Sequence, residues 1–225
     1  MRRMLTIGAM AAVGISGLVV APLTFAAQAP AGACPDVEIV GARGTTERPG
    51  LGVVLGPLAQ QLTRGLAQSV RATAVDYPAS FNYQASVRQG VSALSAQLRR
   101  TAAACARTRF VLMGYSQGAD VMGDALAGGR AAQPTVPAAL SDRVAAVLFF
   151  GDPTFTAGEP FNVTDGTRSG ILARGDGRLD AFADRTRSFC NRNDRFCQGG
   201  TSLAAHLDYA KFFGDALAFT RRELG

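Results

Sequence analysis

A chain of 225 residues, 48% apolar and 18% charged, carries enough apolar side chain for one buried core and too little charge for a disordered segment. Its net charge of +6 at pH 7 comes from scattered arginines, with Lys211 the sole lysine, so the composition argues against a nucleic-acid partner. No internal period or low-complexity tract is present, which excludes solenoids and linker arrays.

In chain order, residues 1–31 read as a signal peptide. Arg2 and Arg3 form its positive start, Leu5 to Val20 its apolar run, and the small residues from Ala26 to Ala31 offer several cleavage bonds. That run is broken by glycines and followed by Pro22, so no stable membrane insertion is expected. The stretch Ala31-Gly32-Ala33-Cys34 lies too far beyond the apolar run to serve as a lipoprotein box. Residues 32–225 read as a single domain, expected to be secreted and monomeric.

Apolar runs then alternate with helical patterns, the signature of a parallel α/β sheet. Val37 to Ala42 predicts a strand, followed by a loop over residues 43–50. Leu55, Leu58, Leu62 and Leu66 mark one face of a helix. Val70 to Tyr77 predicts the next strand, closed by Pro78. Val87, Val91, Leu94, Leu98 and Cys105 mark a second helix. Phe110 to Met113 reads as a central strand buried on both faces, and Gln117 to Leu126 as a helix stopped by Gly128-Gly129. Val144 to Phe150 predicts another buried strand, ended by Gly151-Asp152-Pro153. Thr154 to Ser169 reads as surface loop, Gly170 to Ala173 as a weak last strand, and Leu207 to Arg222 as an amphipathic helix turning Tyr209, Phe213 and Leu217 inward. The expected fold is α/β, three layers around a mostly parallel sheet of about five strands.

Four cysteines, Cys34, Cys105, Cys190 and Cys197, are expected to form two disulfides in an exported chain. Three pairings are open, and proximity favours Cys190 with Cys197, which leaves Cys34 with Cys105. A metal site is not expected, because no C-x-x-C spacing occurs and the chain has one histidine.

Gly114-Tyr115-Ser116-Gln117-Gly118 matches G-x-S-x-G directly after a predicted buried strand and at the opening of a helix, the context a nucleophile elbow requires. So tight a turn needs glycines beside the serine, and it sets the hydroxyl near a helix N-terminus that favours a developing oxyanion. A serine hydroxyl needs a base, and His206 is the only histidine; it follows the serine, as in the serine–acid–histidine order of α/β-hydrolases. Asp152, Asp176, Asp180, Asp184 and Asp194 are all candidates for the acid between them. Asp194 sits inside the ring that a Cys190–Cys197 bond would close, but spacing alone does not choose it.

These residues resemble the cutinase family, over roughly Cys34 to the C-terminus. The resemblance is carried by Ala42-Arg43-Gly44-Thr45-Thr46-Glu47, by the G-Y-S-Q-G form of the elbow, by the C-x-x-x-D-x-x-C pattern from Cys190 to Cys197, and by His206-Leu207 with Tyr209. The resemblance implies a lidless α/β-hydrolase fold, Asp194 as the acid, and the pairs Cys34–Cys105 and Cys190–Cys197. It also implies an oxyanion hole from the backbone N–H groups of Thr45 and Gln117, with the Thr45 hydroxyl as a further donor braced by Asn82. Apolar residues near Ala79, Phe81, Leu203 and Ala204 are expected on the rim.

The chemistry expected is therefore ester hydrolysis through an acyl-enzyme, on a polyester, lipid or short-to-medium acyl ester, with no metal or organic cofactor and activity falling at acid pH as His206 is protonated. An acyltransferase or thioesterase acting on envelope lipids would use the same residues with another acceptor. A secreted binding protein with a relic site is the alternative from another class.

Overall fold

The computed structural model describes residues 32–129 and 135–225; the predicted signal peptide, at residues 1–31, lies outside them. Among the described residues six strands form one parallel sheet in the order β2-β1-β3-β4-β6-β5. They are β1 Val37–Ala42, β2 Val70–Ala74, β3 Arg109–Tyr115, β4 Val144–Phe150, β5 Asn162–Thr164 and β6 Thr186–Cys190. The helices are α1 Gly52–Gly65, α2 Tyr83–Ala104, α3 Gln117–Ala127, the single turn α4 Ala138–Ser141, α5 Leu203–Leu207 and α6 Phe213–Leu224.

Every residue of β1 and β4 is buried, as expected of parallel strands covered on both faces. On one face Leu55, Leu58 and Leu62 of α1 and Phe213, Ala216 and Phe219 of α6 pack on Ile39, Val111 and Leu148. On the other, Val87, Leu94 and Leu98 of α2 and Val121, Met122 and Ala125 of α3 pack on Val40, Leu112 and Val147. A fully buried leucine contributes about 2 kcal/mol relative to exposure, so these two layers fix the sheet that carries the site. Among the described residues no helix is long and apolar enough to cross a membrane.

The structure corrects the expected strands in four places. The predicted second strand is shorter, because its partner β1 turns away after Ala42; beyond the Val75 N–H bond to Gly41, the chain leaves the ladder. Gly170 to Ala173 is not a strand, since Gly170 and Leu172 donate to Phe155 and Pro153 in a neighbouring loop. The sheet is instead extended by Thr186–Cys190, whose polar Thr186 and Ser188 are buried and hide it from an apolar-run search. Part of the expected loop, Asn162–Thr164, adds the edge strand beside it.

The C-terminal segment breaks into α5, a short 3-10 turn and α6. The Asn191 amide donates to the carbonyls of Ala205 (2.7 Å) and Asp208 (2.8 Å), which ends α5 after one turn and lets Tyr209 swing under the sheet. Tyr209 and Phe213 are buried as expected, whereas Leu217 is half-buried and lies over Gly65.

Candidate active site

The elbow forms because three backbones converge. A Cβ on Gly114 would meet the Ala119 backbone at 2.4 Å, and one on Gly118 would meet the Ala42 carbonyl oxygen at 1.8 Å. The glycines thus permit close approach, while the unusual dihedral belongs to Ser116 itself, with φ 53° and ψ −122°. A non-glycine residue there costs on the order of 1–3 kcal/mol and persists only where its surroundings enforce it. Here they do: the Ser116 N–H donates to the Phe150 carbonyl at 2.9 Å, and α3 begins at once. Ser116 lies on the floor of the groove, only 9% exposed, rather than on open surface.

The loop after β1 is built by Arg43 and Glu47. Arg43 donates to the carbonyls of Glu47 (2.8 Å) and Tyr77 (2.7 Å), and the Glu47 carboxylate accepts from the N–H groups of Gly44 (2.5 Å) and Val53 (2.7 Å). Thr46, at φ 66°, donates its N–H to Ala79 at 2.6 Å. These bonds leave the Thr45 and Gln117 backbone N–H groups without partners among the described residues. The Gln117 side chain is otherwise engaged: it accepts from the Ser86 hydroxyl at 2.8 Å and donates to the Ser80 carbonyl at 3.0 Å. Asn82 does not brace Thr45; its carbonyl accepts the Ser86 N–H in the first turn of α2.

The two disulfides join Cys34 to Cys105 and Cys190 to Cys197. Within the shorter ring, Asp194 is fully buried. One carboxylate oxygen, Oδ1, accepts the N–H groups of Phe196 (2.7 Å) and Cys197 (3.0 Å). The other, Oδ2, faces His206 Nδ1 at 2.8 Å and accepts the Tyr209 hydroxyl at 2.7 Å. Burial alone would raise this carboxyl, but the hydrogen bond and charge of His206, then Tyr209 and the Phe196 N–H, hold it below the usual carboxylate range. Of the other acid candidates, Asp152 is buried and accepts from the Thr154 N–H and hydroxyl, while Asp176, Asp180 and Asp184 are exposed.

His206 sits on α5, whose start is capped by the Ser202 hydroxyl accepting the Ala205 N–H at 3.0 Å. Its ring stacks on Tyr115, with centroids 5.1 Å apart, and receives Phe196 edge-on at 4.4 Å. The Tyr115 hydroxyl donates to the His206 carbonyl at 2.9 Å. Gly151 lies against the imidazole, where a Cβ would come within 2.8 Å of it. Sequence reasoning missed Tyr115, Phe196 and Gly151, although Tyr115 stands inside the G-Y-S-Q-G motif.

Ser116 and His206 line one groove of about 1550 Å³ with Thr45, Phe81, Asp120 and Arg174. Five large apolar side chains of the described surface are exposed, namely Val53, Phe81, Ile171, Leu203 and Leu207. All five border this groove. Phe81 and Leu203 stand where expected, and Ala204 is exposed; Ala79 is buried, because its loop folds onto Thr46.

A cutinase family model matches residues 33–224. A cutinase of Kineococcus radiotolerans is 42% identical over 185 residues, covering 80% of this chain and 58% of that protein; this chain therefore spans less than two thirds of that relative. Carboxylesterase Culp1 of Mycobacterium tuberculosis is 36% identical over 213 residues, 88% of each chain. Among solved structures, the catalytic core domain of acetyl xylan esterase from Trichoderma reesei superposes with a TM-score of 0.80 at 29% identity, over 85% of this chain and 100% of that one.

Proposed function

We propose that this chain, which belongs to the cutinase family of carboxylic ester hydrolases, works as a secreted serine esterase with Ser116 as nucleophile, His206 as base and Asp194 as orienting acid. The observation that carries the reading is the 2.8 Å Asp194–His206 pair behind a groove that His206 lines together with the strained Ser116.

Neutral His206 takes the Ser116 proton as Oγ bonds to the ester carbonyl carbon. The carbonyl oxygen becomes an oxyanion held by the Thr45 and Gln117 N–H groups. The C–O bond to the alcohol then breaks, and the imidazolium returns its proton to the leaving oxygen. Water, deprotonated by the same imidazole, attacks the acyl-enzyme and releases the acid and free serine. These steps need no metal or organic cofactor.

The apolar rim favours an ester whose acyl part is itself apolar, presented by a polyester or lipid surface, because burying such a chain removes Phe81 and its neighbours from water. The two disulfides fit an oxidising compartment, and with the signal-peptide pattern of residues 1–31 they support secretion. Hydrolysis of p-nitrophenyl esters of increasing acyl length tests the reading, with Ser116→Ala beside the parent. We expect the substitution to lower kcat by on the order of 10⁴ or more, and kcat/KM to rise with acyl length until the rim is covered. Undiminished turnover in Ser116→Ala would overturn the assignment.

A further inference from the structure

We propose that Tyr209 is a positioning residue of this site: its buried hydroxyl, donating to the same Asp194 oxygen that faces His206, fixes the carboxylate in the one rotation that serves the base. The inference rests on the triad reading above and adds a residue to it.

The geometry is specific. Without Tyr209, Oδ2 would have the imidazole as its only partner, and both groups would share whatever play the carboxylate retained. The two backbone N–H groups on Oδ1 define one half of the carboxylate plane, and the Tyr209 hydroxyl at 2.7 Å defines the other. Rotation about the Cβ–Cγ bond then has to break three hydrogen bonds besides the one to His206. The phenol oxygen is held in turn, 3.4 Å from the Asn191 N–H and 3.3 Å from Cys197 Sγ.

The ring is fully buried and wedged edge-on against Phe150 and Tyr115, at centroid distances of 5.9 and 6.1 Å. Burial, then the Asp194 charge, raises the phenol well above its ordinary range, so it remains a proton donor wherever the enzyme works. Asn191 makes the placement possible, since its amide ends α5 and frees residue 209 from the helix direction. Orientation of this kind contributes to kcat rather than to substrate binding, because it concerns the base and not the groove.

The test is Tyr209→Phe, which keeps the ring and removes the hydroxyl, alone and combined with Asp194→Asn. We expect kcat to fall about tenfold with KM unchanged. The acid limb of kcat/KM should move to higher pH, because a carboxylate with one donor fewer holds the imidazolium more strongly. Among the described residues the other titratable group against the pair is Tyr115, stacked on His206 and within reach of the Asp194 and Glu47 charges, and it is not altered. On the Asp194→Asn background the second substitution should cost no further rate. An equal loss in both backgrounds, or a folded Tyr209→Phe enzyme with the parent's kcat and acid limb, would overturn the proposal.

Should the Phe chain fail to fold, 3-fluorotyrosine placed at position 209 keeps the contact with a more acidic hydroxyl. It should move the acid limb to lower pH, and an unmoved limb would again overturn the proposal. Activity surviving in Ser116→Ala would instead remove the triad reading itself, whatever Tyr209 does.

Discussion

Two of the carboxylates buried around the site, Asp194 and Asp120, are held in opposite ways. Asp194, behind His206, meets four donors, from His206, Tyr209, Phe196 and Cys197, and stays ionised below the usual carboxylate range. Asp120, one turn past Ser116 on α3, meets the Tyr83 hydroxyl at 3.1 Å and Arg174 at 3.4 Å. Arg174 also binds Asp124. Burial first, then the negative charges of Asp124 and Asp152, pushes Asp120 up to about 7 despite Arg174. Depth is similar at the two positions; what differs is the number of donors and the sign of the neighbours. Only the richly bonded carboxylate can keep a charge beside the imidazole, which is the charge the proposed mechanism needs.

The largest effect is expected from Asp194→Asn, which preserves shape but removes the charge; kcat should drop by about 10⁴, as loss of a triad carboxylate does elsewhere, with KM little changed. A drop of less than tenfold would mean that the pair is structural.

Next in size is the ring around Asp194. Replacing Cys190 and Cys197 by Ser should lower kcat about tenfold by loosening the acid loop. Chain entropy gives the links different weights in folding. The Cys190–Cys197 link closes a separation of 7 residues and the Cys34–Cys105 link one of 71. Their contributions to stability are about 2.5 and about 4 kcal/mol respectively. Kinetics and thermal melting of both double variants measure the split, and an unchanged kcat without the short link would contradict it.

The smallest effect is one of stability. Asp120 ionises in the folded chain above its unfolded value, so its contribution is most favourable below about pH 4 and is lost as pH rises towards 7. Asp120→Asn removes that loss, and its melting temperature relative to the parent should gain on the order of 5 °C between pH 4 and pH 8. Asp194 acts with the opposite sign: its depressed carboxyl stabilises the fold at neutral pH and ceases to do so as pH falls below about 4. Melting curves across pH that showed no gain for Asp120→Asn would place that carboxyl in an ordinary environment.

The sequence made the elbow legible because its constraints are local: a strand, two glycines and a serine within a few residues. His206 was legible by being alone, and Asp194 only through the family pattern, since its selection depends on contacts made after the chain has folded. Tyr209 was read as a packing residue, which it is, but nothing in its spacing reveals a hydroxyl aimed at Asp194. The last strand is not legible because its Thr186 and Ser188 are buried although polar, Thr186 with its hydroxyl donating to the Phe182 carbonyl, so no apolar run marks it. Ile171 and Leu207 on the groove rim are legible only in the structure, because Ile171 falls in a segment whose pattern suggests a strand and Leu207 closes the short helix α5, where an apolar side chain carries no sign of whether it is packed or displayed.

The most direct measurement is labelling with an alkyl p-nitrophenyl phosphonate, followed by peptide mass mapping. One phosphonyl group per chain is expected, on the peptide containing Ser116, and none on the same timescale in His206→Ala. Label on another residue, or undiminished labelling in His206→Ala, would contradict the triad reading.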